Sequence, residues 1–154
     1  MSKLTPGDPA PELGAKDAEG KEWSLADLKG KKVILYFYPV DDTPGCTAQA
    51  CDFRDSQTDL QKAGYVVLGI SPQGADSHHA FTSKYSLNFP LLIDEDHSVA
   101  ERYGVWGEMN KYGHTYVGLN RSTFVIDEDG KIEEAQYGVK AKGHVGRLRE
   151  SLGV

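Results

Sequence analysis

The sequence predicts an α/β fold, a central mixed sheet flanked by helices with a small N-terminal β-hairpin, and three observations point there. Two unbroken apolar runs, Val33-Ile34-Leu35-Tyr36-Phe37-Tyr38 and Tyr65-Val66-Val67-Leu68-Gly69-Ile70-Ser71, read as strands buried on both faces. A polar amphipathic stretch lies between them, so strand, helix and strand make a βαβ unit with parallel strands and a right-handed crossover. Farther on, Arg121 to Ile126 and Lys131 to Tyr137 flank Asp127-Glu128-Asp129-Gly130, a hairpin turn whose glycine supplies the positive φ.

The remaining elements follow in order. Residues 1–12 carry Pro6, Pro9 and Pro11 and read as an extended, irregular arm. Glu12 to Asp17 and Lys21 to Ser24 flank Ala18-Glu19-Gly20 as a small hairpin, and 24–28 can form one helical turn stopped by Gly30. After the first buried strand, a helix opens at Thr43-Pro44 and continues from Asp52 to Ala63 with Phe53 and Leu60 on its core face. Asp76 to Tyr85 is a helix capped by Asp76 or Ser77, Phe89 to Asp94 a short strand, and Ser98 to Tyr103 a short helix. Residues 104–120, rich in glycine and aromatics, read as a long surface excursion. Gly143 to Leu152 closes the chain as an amphipathic helix. A parallel βαβ unit, then an antiparallel hairpin and a last helix, is the order of a thioredoxin-like fold.

The 154 residues are expected to form one domain, 1–154, large enough for a core without staples. A net charge of −6 with no basic tract argues against nucleic acid or an anionic membrane as partner. No apolar run reaches the roughly 18 residues of a membrane span. The first residues lack the apolar core of a secretory signal, so a cytoplasmic protein is expected. Neither Asp94-Glu95-Asp96 nor 127–130 has the sixth-position glycine and the distal Glu of a calcium loop, and both read as turns.

The chemistry concentrates at Pro39-Val40-Asp41-Asp42-Thr43-Pro44-Gly45-Cys46-Thr47-Ala48-Gln49-Ala50-Cys51, which holds both cysteines. Thr43-Pro44 is a helix start: a hydroxyl to accept an orphan N–H, then a ring already set at helical φ. Cys46 then lies in the first turn, where free N–H groups and the positive end of the dipole favour thiolate over thiol. It also lies just past the carboxyl end of a buried strand, where open α/β sheets place their reactive groups. Two cysteines in a reducing compartment can be inert core thiols, half of a metal site or a redox pair. Zinc needs about four clustered ligands, and neither C-x4-C nor the scattered histidines (His78, His79, His97, His114, His144) supplies them.

Pro39-x-x-x-Thr43-x-x-Cys46 resembles the active-site signature of the peroxiredoxins. The second cysteine five residues on resembles the peroxiredoxin Q branch, also called bacterioferritin-comigratory protein. The similarity extends to Cys51-Asp52-Phe53-Arg54-Asp55, Phe89-Pro90-Leu91-Leu92, Tyr103-Gly104-Val105-Trp106-Gly107 and Arg121-Ser122-Thr123-Phe124-Val125-Ile126-Asp127, so it covers nearly the whole chain.

That resemblance implies a peroxidatic Cys46, a resolving Cys51, activating side chains at Thr43 and Arg121, and Pro39 as a shield of the pocket. It implies a thiol peroxidase without metal or other cofactor, acting on hydrogen peroxide and organic hydroperoxides. A Cys46–Cys51 disulfide would be recycled by a thioredoxin-type dithiol, in a monomer. The residue chemistry agrees, because attack by sulfur on a peroxide oxygen needs a thiolate and donors along the breaking O–O bond. The Thr43 hydroxyl, the Cys46 N–H and the Arg121 guanidinium are suitable donors. Bland roles compete: Arg121 as a surface charge at a strand end, Thr43 as a helix cap alone, Cys51 as a buried helix residue. A thioredoxin-like disulfide reductase or electron-transfer protein is the rival function, weakened by the absence of C-x-x-C; a holdase that keeps only the fold is a third.

Overall fold

In a computed structural model, residues 3–154 are described, apart from the Lys111 side chain; Met1 and Ser2, the tip of the expected arm, lie outside the described residues. The chain begins with a minimal hairpin, β1 (Ala15–Lys16) and β2 (Glu22–Trp23), followed by the single turn α1 (Leu25–Leu28), capped by Ser24. Then come β3 (Lys32–Phe37), α2 (Pro44–Lys62), β4 (Tyr65–Ser71), α3 (Ala75–Tyr85), β5 (Leu91–Ile93) and α4 (Ser98–Arg102). The last elements are β6 (Trp106–Lys111), β7 (His114–Leu119), β8 (Ser122–Ile126), β9 (Ile132–Gln136) and α5 (His144–Leu152).

One sheet organises the molecule, in the order β5-β4-β3-β8-β9. β3 pairs parallel with β4, with Val33 opposite Val66 and Phe37 opposite Ile70, and antiparallel with β8, with Leu35 opposite Phe124. β3 is central, and period-two alternation splits its side chains between two cores. Val33, Leu35 and Phe37 join Leu68, Ile70, Phe124 and Ile126 on one face, covered by Leu28, Val99, Ala100 and Tyr103. Ile34, Tyr36 and Tyr38 join Val67 and Val125 on the other, covered by α2 through Cys46, Ala50, Phe53 and Leu60 and by α5 through Val145 and Leu148. Burial on both faces explains why the run shows no polar alternation in sequence.

Residues 104–120 depart from the expectation. β6 and β7 form an antiparallel hairpin, Trp106 opposite Leu119 and Lys111 opposite His114. Its tip is Tyr112-Gly113, both at positive φ, the geometry of a two-residue turn matched to strand twist. β7 is exposed along most of its length, so neither face imprints an apolar period on the sequence. The cap of α3 also differs: Gly74 holds that position, and Ser77 turns its hydroxyl elsewhere. Among the described residues, no helix is long and apolar enough to cross a membrane.

Candidate active site

The site lies where β3 ends and α2 begins. The chain leaves β3 at Phe37 and crosses Tyr38 to Asp42. It enters α2 with Thr43 in the extended N-cap conformation and Pro44 at the first helical position. The Thr43 carbonyl accepts the Thr47 N–H at 2.8 Å, the first bond of the helix. Cys46 therefore sits in the first turn, as expected, where N–H groups have no intrahelical partner. It is almost wholly buried, in the apolar cluster with Tyr36, Tyr38 and Phe53. A buried sulfur serves as a nucleophile where a positive charge or a donor stands beside it.

Arg121, in the residue just before β8, supplies that charge. Its Nη2 donates to Cys46 Sγ at 3.1 Å, and its Nη1 donates to Gln49 Oε1 at 2.6 Å. The antiparallel pairing of β8 with β3 puts Ser122 opposite Phe37, which brings the head of β8 beside the strand end that delivers the thiol. Gly45 adjoins this contact: a Cβ there would stand 3.4 Å from Arg121 Nη2 and from Ala141 Cβ, touching both. The surface-charge reading of Arg121 is thereby replaced by a guanidinium in contact with a buried sulfur.

Thr43 corrects one expectation. Its hydroxyl makes no side-chain cap and gives its hydrogen to the Val40 carbonyl at 2.9 Å. Toward an incoming peroxide O–H it presents an acceptor oxygen, and it can donate only by rotating away from Val40. Pro39 lies half-buried in the β3–α2 loop, its carbonyl accepting from Ser71 Oγ at 3.3 Å. Cys51 lies on the same unbroken helix as Cys46, partly exposed, and both are free thiols. The structure thus joins Cys46 to Arg121 directly and holds Cys51 apart from them.

Two sets of residues escaped the sequence reading. Gln49, fully buried, ties Arg121 to His144: its Nε2 is 3.1 Å from His144 Nδ1, and His144 Nε2 is 3.0 Å from Gln136 Oε1. Gln49 follows Cys46 by three residues, the spacing that puts two side chains on one helix face, and that signal was available. The second set anchors the loop. Asp41 accepts from Tyr38, from Ser77 Oγ at 2.7 Å and from His78 Nδ1 at 2.7 Å. Beside it, Asp42 adopts φ 60° and accepts from Lys84 Nζ at 2.8 Å and Tyr85 OH at 2.7 Å. α3 thus grips the loop that precedes the thiol. Among the described residues, no group of three or more His, Cys, Asp or Glu is placed to hold a metal ion.

This arrangement has relatives. Residues 6–135 match the AhpC/TSA family. The chain belongs to that family. A relative from Mycobacterium tuberculosis, 53% identical and covering 99% of this chain and 98% of its own, bears a peroxiredoxin name. Peroxiredoxin Bcp of Escherichia coli K12 is 47% identical, covering 94% of this chain and 92% of its own. Among solved structures, the bacterioferritin comigratory protein of Xanthomonas campestris, studied for alkyl peroxide reduction, superposes with TM-score 0.86 at 33% identity, covering 92% and 90% of the two chains. A cysteine-to-serine mutant of Xylella fastidiosa peroxiredoxin Q superposes with TM-score 0.88 at 29% identity, covering 99% and 98%. The chain is a peroxiredoxin of the Q branch with the thioredoxin-like fold its element order implied, and a thiol-dependent peroxidase.

Proposed function

We propose that this peroxiredoxin reduces hydrogen peroxide and organic hydroperoxides with Cys46, resolves the product with Cys51, and is recycled by a thioredoxin-type dithiol. The observation that carries this reading is the Arg121 guanidinium 3.1 Å from a buried sulfur in the first turn of a helix. The Cys46 thiolate attacks the nearer peroxide oxygen, the O–O bond breaks, and the other oxygen leaves as hydroxide or alkoxide and takes a proton. Arg121 and the Cys46 N–H are donors suited to the charge that develops on both oxygens. The sulfenic acid then condenses with the Cys51 thiol, forming the S–S bond and releasing water. A dithiol supplies two electrons and two protons to reopen the disulfide. Both thiols belong to one chain, so a monomer suffices, and the cytoplasm is where such a reductant is maintained.

Stopped-flow oxidation by hydrogen peroxide and by an organic hydroperoxide tests the assignment. Cys46→Ser should lose turnover, whereas Cys51→Ser should accept one oxidation and stall at the sulfenic acid. Turnover retained by Cys46→Ser overturns it. A one-cysteine thioredoxin that captures no mixed disulfide with this protein removes the proposed reductant.

A further inference from the structure

A chain of hydrogen bonds leads from Arg121 away from the thiol, and its direction can be deduced link by link. A guanidinium only donates and does not lose its proton, so the Gln49 atom 2.6 Å from Arg121 Nη1 is the amide oxygen. The Gln49 NH2 then faces His144 Nδ1 at 3.1 Å, which must accept and so carries no hydrogen. The ring hydrogen is left on Nε2, where it is given to Gln136 Oε1 at 3.0 Å. His144 is 2% exposed, opens α5, and meets the Phe53 ring edge-on. Burial, with the positive charges of Arg147 and Arg121, pushes its pKa down to about 4, which agrees with a neutral ring.

We propose that His144 is a positioning residue for the peroxide step: as the neutral Nε2–H tautomer it fixes the Gln49 amide, whose oxygen holds the Arg121 guanidinium against the Cys46 sulfur. This rests on the peroxidase reading above. One amide orientation satisfies the chain from Arg121 to Gln136. A donor at Nδ1 would turn the Gln49 amide and set its NH2 against the guanidinium, donor to donor. An apolar ring would leave the amide free to turn.

Three measurements test this. Nitrogen chemical shifts of the His144 ring in the unaltered protein at neutral pH should show Nδ1 bare and Nε2 protonated. A charged ring or the Nδ1–H tautomer overturns the proposal without any substitution. In a Cys51→Ser background, ultraviolet absorbance of the single remaining thiolate should show His144→Phe shifting Cys46 ionisation to higher pH. The same change should slow oxidation by hydrogen peroxide about tenfold or more, the scale of a small misplacement of a catalytic group. His144→Asn, which returns an acceptor near the Nδ1 position, should recover most of both losses. Unchanged ionisation in the phenylalanine variant, or no recovery in the asparagine variant when both are folded, overturns the role. The ring shifts and thiolate titration use no peroxide. Failure of the peroxidase reading therefore shows separately, as a Cys46 that ionises but is not oxidised.

Discussion

His78 and Asp41, 37 residues apart, meet at 2.7 Å in the interior, beside the loop that leads into the helix carrying Cys46. Leu92 O, 2.8 Å from His78 Nε2, can only accept, and so can the Asp41 carboxylate at Nδ1. Both ring nitrogens therefore face acceptors, and the ring bridges the Asp41 carboxylate to the backbone of β5. Tyr38 and Ser77 also donate to Asp41, which fastens β3's end and α3 to one side chain in the 39–43 loop.

Asp41→Ala should lower stability by about 3 kcal/mol, because it removes one partner of a buried pair and strands two hydroxyls. Asp41→Asn should lose less than half as much. Its oxygen can still accept from Tyr38, and its NH2 can donate to a neutral His78 whose Nε2–H still meets Leu92. Urea unfolding at neutral pH compares the two. Equal losses would mean that the hydrogen-bonding shape of residue 41 is not what holds the loop. Burial pushes the Asp41 carboxyl up, but the bonds from His78, Tyr38 and Ser77 outweigh it and hold the carboxyl below its usual range. This part of the stability is present above the unfolded carboxyl's pKa of ~3.9 and is lost as pH falls through the lower folded value.

His144 predicts a second acid-sensitive window at higher pH. Its pKa is near 6.5 in the unfolded chain and about 4 in the fold, lowered by burial and by Arg147 and Arg121. Between those values the unfolded state binds more protons, so stability is full above about 6.5 and falls toward about 4. The urea midpoint of the unaltered protein should decline across that window more steeply than that of His144→Asn. Parallel slopes would show that His144 does not titrate with unfolding.

The readable parts of this protein were those written locally. Val33 to Tyr38 announce a doubly buried strand, and Thr43-Pro44 announces the helix start that places Cys46. Arg121 came from a family pattern, since nothing in its own neighbourhood marks a charge destined to lie 3.1 Å from a sulfur 75 residues away. His78 and His144 carried no local sign of their roles, because each meets its acidic or amide partner only after the sheet is assembled. Thr43 was misread in detail: a hydroxyl that helix statistics assign to an N–H is used by the Val40 carbonyl. The β6–β7 hairpin was missed because a ribbon largely exposed on β7 leaves no apolar rhythm.

Arg121→Met should leave the fold nearly intact and slow peroxide oxidation of Cys46 by about 10²-fold or more, as losing an oxyanion donor does. A larger share of Cys46 should stay protonated at neutral pH. Arg121→Lys should recover only part of the rate, because one ammonium cannot meet both the sulfur and the Gln49 oxygen as the planar fork does. Stopped-flow rates for the three proteins decide this, and unchanged kinetics in the methionine variant would remove Arg121 from the chemistry.

The two thiols impose a conformational change on any intramolecular disulfide. Both lie on α2, which is continuous from Pro44 to Lys62 while both cysteines are free. Five residues of α-helix rise about 7.5 Å and turn about 140°, which puts the two Cα atoms roughly 8.6 Å apart. A disulfide tolerates no more than about 7 Å, and these side chains leave the helix on different sides. The thiolate needs the helix start, and the S–S bond forbids the helix between its ends. Residues 46–51 should therefore unwind each time the disulfide forms, with Gly45 at the hinge able to absorb the backbone change. Unwinding would also pull Cys46 from the Arg121 guanidinium and out of its apolar cluster, toward an external reductant. Amide exchange across 46–51 should show helical protection in the reduced protein and lose it on oxidation. Equal protection in the two forms, with the disulfide confirmed by mass, would sink the mechanism.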